Sequence, residues 1–72
     1  MMYQFVICTD NTGYEASLEP RKLYKLLPDP EAELHNQLRI IDESGEDYLF
    51  PRHMFMALTL NAEMAERVAK IA

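Results

Sequence analysis

The sequence has no tryptophan, one cysteine, two glycines and a shortage of positive charge. Each shortage excludes something. A single cysteine, Cys8, forbids an intrachain disulfide and fits a reducing compartment. The apolar run at residues 5–8 has no basic residue before it. It is too short for a signal peptide or a membrane span, which implies a cytoplasmic chain. Seven basic residues against 12 acidic ones leave a net charge of −5. Phosphate neutralisation supplies most nucleic-acid affinity, so this balance works against nucleic acid and against an anionic membrane. It favours a basic protein partner, or one without charge. No nucleophile–base spacing, phosphate loop or paired metal-ligand motif occurs, so no catalytic residue, cofactor or metal site is assigned and the chain reads as no enzyme.

What is present is an ordinary globular balance. Half of the 72 residues (49%) are apolar and 26% are charged, which is too apolar for a disordered chain. The length allows one domain, residues 1–72, with a small core and modest stability.

Alternation and turn chemistry predict short strands. Residues 3–9 read as a central strand, with Tyr3, Phe5 and Ile7 on one face and Gln4, Val6 and Cys8 on the other. Asp10-Asn11-Thr12-Gly13 reads as a turn, residues 14–18 as a strand, Glu19-Pro20-Arg21-Lys22 as a second turn, and residues 23–27 as another strand. Asp29 is placed to cap a helical turn that Pro30 begins and Asn36 ends in the left-handed region. Residues 38–43 and 46–50 form a hairpin around Ser44-Gly45. Pro51 stops its second strand. A tight turn at residues 52–55 and a last strand at 56–58 follow. A helix at residues 61–72 closes the chain, capped by Asn61, with Leu60, Met64, Val68 and Ile71 on one stripe. Glu63 with Arg67 and Glu66 with Lys70 are spaced as ion pairs. The apolar stripe must dock, and the open end of its own barrel is favoured over a second copy, so a monomer is expected over a homodimer.

Two stretches carry a resemblance. Ala16-Ser17-Leu18-Glu19-Pro20-Arg21-Lys22-Leu23-Tyr24-Lys25-Leu26 resembles the diverging turn and second strand of a Src-homology-three-like barrel. Tyr48-Leu49-Phe50-Pro51-Arg52-His53-Met54-Phe55 resembles its fourth strand and following turn. The likeness covers residues 3–58. It implies a mainly β fold: a small barrel of about five short strands at residues 2–59, closed by one C-terminal α-helix at 61–72. More narrowly, the stretch from Leu38 through Asp42, Ser44 and Gly45 to Pro51 resembles the signature of a group of short bacterial proteins with no established activity. The paired tryptophans and the aromatic-acidic motif of a proline-peptide groove are missing. The resemblance therefore implies a fold and no peptide specificity.

Candidate chemistry weighs lightly. Cys8 with His35 or His53 has the residue types of a thiolate and its base, but a cysteine in an apolar strand behaves as a small hydrophobe. His53, Met54 and Met56 with Cys8 are soft ligand types without metal-site spacing. Asp42, Glu43, Glu46 and Asp47 crowd the hairpin tip without a calcium-loop pattern and read as a solvated, charged tip. Arg21, Lys22 and Lys25, with Arg52 nearby in a barrel, form the sole basic edge. Tyr14, Tyr24, Tyr48, Phe50 and Phe55 supply either core or a groove, and an exposed tyrosine pair is the feature that points to a protein partner. The reading is thus a non-catalytic protein-interaction module, with Tyr14, Tyr48, Phe50 and Arg52 as candidate partner-binding residues. The alternative is a nucleic-acid-associated barrel using the Arg21, Lys22 and Lys25 edge. An enzyme is third.

Overall fold

The structure, a computed structural model, describes residues 4–71, with Ile71 described in its backbone alone. Five strands are present: β1 (Gln4–Cys8), β2 (Leu23–Leu27), β3 (Gln37–Ile41), β4 (Asp47–Pro51) and β5 (Phe55–Leu58). Two helices accompany them, α1 (Pro30–Leu34) and α2 (Ala62–Ile71), and a 3-10 turn (Arg52–Met54) joins β4 to β5. The expected strand start at Tyr3 and helix end at Ala72 lie outside the described residues.

All five strands pair antiparallel in one sheet, in the order β4-β3-β2-β1-β5. The fold is mainly β, as the alternation predicts, but the sheet is not a closed barrel. No ladder joins β4 to β5: β4 pairs only with β3, β5 pairs only with β1, and a 3-10 turn separates the two. The sheet still curls strongly. Phe50 and Phe55 lie on the two edge strands, yet their rings meet edge-to-face with centroids 6.3 Å apart.

Registry decides which apolar face becomes core. Pairing sets Val6 opposite Tyr24, Leu26 opposite Ile40, Leu38 opposite Phe50 and Cys8 opposite Phe55. These side chains share one face, since cross-strand partners point the same way. With Leu18 and Met54 they make the core. Cys8 is fully buried there, and burial raises its thiol pKa. Phe5 is buried on the opposite face.

Cap chemistry is as the sequence predicts. Asp29 Oδ1 accepts from the Ala32 N–H at 3.1 Å, Pro30 opens α1, and Asn36 holds φ +57° beyond it. The helix packs on β3 and buries Ala32. Arg39 bonds Asp29 at 2.8 Å and Asp47 at 2.9 Å, tying the cap of α1 to the hairpin.

Four further expectations need correction. Residues 14–18 are not a strand: the Tyr14 carbonyl accepts from the N–H groups of Ser17 and Leu18, both at 2.9 Å, which winds the segment into a turn and drives Leu18 into the core. The hairpin loop is not the two-residue Ser44-Gly45 turn. Gly45 N–H donates to Asp42 O at 3.0 Å, and Asp42 N–H to Glu46 O at 3.1 Å. These bonds define a three-residue loop, Glu43-Ser44-Gly45, with Gly45 at φ +84°. The buried face of α2 also differs. Asn61 caps it, accepting from Met64 N–H at 2.8 Å, but Met64 is 51% exposed and Ala65 only 3%. Ala65 is buried and Val68 and Ala69 are half-buried, so the covered face keeps Val68 of the expected stripe but runs through Ala65 in place of Met64. The Ile71 side chain lies outside the described residues. Glu63 pairs with Arg67 at 2.9 Å, whereas no Glu66–Lys70 pair forms among the described residues.

Candidate functional site

The segment between β1 and β2 builds one wall of a hollow. Asp10 Oδ1 accepts from the N–H of Thr12 at 2.9 Å and its hydroxyl at 2.7 Å, and Asn11 Nδ2 donates to Leu18 O at 2.9 Å. These bonds hold the loop while Leu18 anchors it in the core. Glu43 N–H then donates to Ser17 O at 3.1 Å, stitching the loop to the hairpin tip. That stitch brings Tyr14 beside β4, where its ring stands edge-on to Phe50, with centroids 5.2 Å apart.

Tyr48 comes from β4. It pairs with Ile40, so it lies on the core face of the sheet, but at an edge strand, where it stays half exposed. Its hydroxyl donates to Glu46 Oε2 at 3.0 Å, and that bond raises the Tyr48 pKa. Tyr14, Ser17, Asp42, Ser44, Tyr48 and Phe50 together line a cavity of about 370 Å³. Tyr14 is 37% exposed and Tyr48 50%, with Phe50 buried between loop and sheet.

Three of the four candidate residues thus converge. Arg52 does not join them: it lies exposed in the 3-10 turn, its N–H donating to Asn36 O at 2.9 Å. Asp42 is the residue that sequence reasoning placed wrongly. It is 7% exposed rather than solvated, and its Oδ1 accepts from Ser44 N–H at 2.9 Å and from Ser44 Oγ at 2.5 Å. The Asp-x-Ser spacing is the signal that marks such a turn.

The other acids of the tip are each engaged separately. Asp47 pairs with Arg39, and Glu46 accepts from Tyr48. Glu43 takes Lys22 Nζ at 2.7 Å and accepts from the Tyr24 hydroxyl. Lys22 first, and Tyr24 second, hold the Glu43 carboxyl below its usual range. Burial and the bond to Glu43 push the Tyr24 phenol well above its own. Tyr24 also accepts from Glu19 N–H at 2.7 Å, and Lys22 Nζ lies 5.8 Å from its ring centroid. This cluster borders a cleft of about 280 Å³, where the β2–β3 ladder, registered at Leu26 and Leu27, gives way. Among the described residues no three His, Cys, Asp or Glu side chains converge as a metal site. His35 Nδ1 sits 2.9 Å from Glu31 O, on α1.

No protein-family model, curated protein or solved structure matches the chain. No helix among the described residues is long and apolar enough to cross a membrane.

Proposed function

We propose that the protein is a non-catalytic interaction module that grips a protein partner at the hollow between Tyr14 and Tyr48. The observation that carries this reading is the pair of exposed tyrosines flanking one cavity, with buried Phe50 beneath them. Tyrosine offers broad apolar contact with a polar tip at little entropic cost, which is why it is enriched where proteins meet. The wall is preformed, because the Ser17–Glu43 bond and the buried Leu18 hold the loop in place.

A Src-homology-three-like architecture, open at one seam, is part of the same reading. The strand order and the 3-10 turn between the last two strands support it. Arg52 drops out of the contact set. The nucleic-acid alternative is weakened at its own edge, since the Lys22 charge is matched by Glu43. The fully buried cysteine supports a reducing compartment, and with it a cytoplasmic setting.

The test is selection from a random linear-peptide library on the intact protein, with a Tyr14→Ser/Tyr48→Ser variant as counter-screen. The reading expects enriched peptides whose binding falls about tenfold or more in the variant while the fold persists. Peptides that bind both proteins alike, or no enrichment, overturn it.

A further inference from the structure

Asp42 is the one buried charged residue among those described. Its two hydrogen bonds both fall on Oδ1, from Ser44. No bond falls on Oδ2 among the described residues. Since no sealed side-chain oxygen among the described residues lacks a partner, Oδ2 keeps some contact with solvent. Three of the seven cations form ion pairs elsewhere: Lys22 with Glu43, Arg39 with Asp29 and Asp47, and Arg67 with Glu63. No ion pair reaches Asp42 among the described residues.

A carboxylate on a residue only 7% exposed has little water to screen it, so a cation that meets Oδ2 is attracted more strongly than at an open surface. Asp42 shares a wall with Tyr14, Tyr48 and Phe50. Aromatic rings attract cations at their faces, most strongly where water is displaced. A concave site that combines rings with a carboxylate in no ion pair among the described residues suits a side-chain cation. The chain's net charge of −5 draws the same kind of group.

We propose that the hollow is a cation subsite, taking the guanidinium or ammonium of an arginine or lysine side chain from a protein partner, with Asp42 as the counter-charge and Tyr14 and Tyr48 as its aromatic flanks. This rests on the interaction reading above and adds the chemistry of what enters. The Ser44 bonds to Oδ1 hold the carboxylate in place, and Oδ2 meets the incoming group.

The experiment uses peptides that the selection returns. Each basic residue is replaced in turn, arginine by citrulline or lysine by norleucine, and affinity is measured by calorimetry on the wild-type protein and on Asp42→Asn. The amide keeps an acceptor for Ser44 and removes the charge. The inference expects one basic position whose neutral replacement weakens wild-type binding about tenfold. In Asp42→Asn that replacement should cost little more than the protein variant already does, the mark of a direct coupling. If Asp42→Asn does not fold, the peptide replacements on wild-type protein decide alone. Peptides that need Tyr48 but bind equally well with every basic residue neutralised overturn the cation subsite and leave the interaction reading standing. Absence of any Tyr48-dependent peptide overturns both.

Discussion

Arg21 holds φ +68° directly after Pro20, and its N–H donates to Cys8 O at 2.7 Å. Proline followed by a residue with positive φ is the pattern of a type II turn, where glycine fits and a side chain is strained. Arg21→Gly keeps the N–H and relieves the strain, so it should raise stability by up to ~1 kcal/mol. Urea midpoints check this, and a loss of stability would show that the arginine side chain makes a contact of its own. Glu43 links to pH. Its carboxyl is held below the usual range by Lys22 and Tyr24, so its contribution is present above the ordinary carboxylate pKa and lost as pH falls through the folded value. Tyr24 works at the other end. Its raised pKa contributes stability fully present below the ordinary tyrosine value of 10.0, and lost as pH rises from there toward the folded value. Glu43→Gln should therefore weaken the acid limb in melting temperature against pH and, by a smaller share, the alkaline limb, since burial raises the Tyr24 pKa first and Glu43 second. Part of the acid limb should remain, because Asp29 is also held low, by the Ala32 N–H and by Arg39. A variant whose two limbs match the wild type would contradict the assignment.

At the scale of elements, α2 offers the sharpest contrast. Ala65→Asp places a charge at a position 3% exposed and should cost about 1–3 kcal/mol. Met64→Asp, on the open side, should stay within about 0.5 kcal/mol. Thermal melts of the two full-length variants check the ranking, and the reverse order would restore the stripe through Met64. What could be read from the sequence divides along the same line. The cap of α1, the β2 bounds and the positive φ of Asn36 depend on residues close in the chain, and these were legible. The face of α2 depends on what lies opposite, and there a small alanine displaced a larger, more apolar methionine. Residues 14–18 alternate like a strand, yet they form a turn held by Asn11 and by the distant Glu43 N–H, bonds that no local pattern announces. The hairpin was legible as a hairpin, but a three-residue loop with a left-handed Gly45 was not distinguished from a two-residue turn. For the site, the aromatic residues were visible as types. Their convergence needed the Ser17–Glu43 stitch, and the burial of Asp42 needed the loop geometry.

For the whole molecule, a curled sheet with edges unjoined leaves the hollow at the corner where the long loop meets the β3–β4 hairpin. Both walls are tied to the core, by Leu18 on one side and Phe50 on the other, so a partner would meet a formed surface with little ordering to do. The most direct measurement is an amide chemical-shift map of the full chain, labelled with nitrogen-15 and titrated with a selected peptide. The largest shifts should gather at Tyr14, Ser17, Ser44 and Tyr48, and Tyr14→Ser/Tyr48→Ser should remove them. Shifts gathered instead along β5 and α2, with those four residues unmoved, would contradict it.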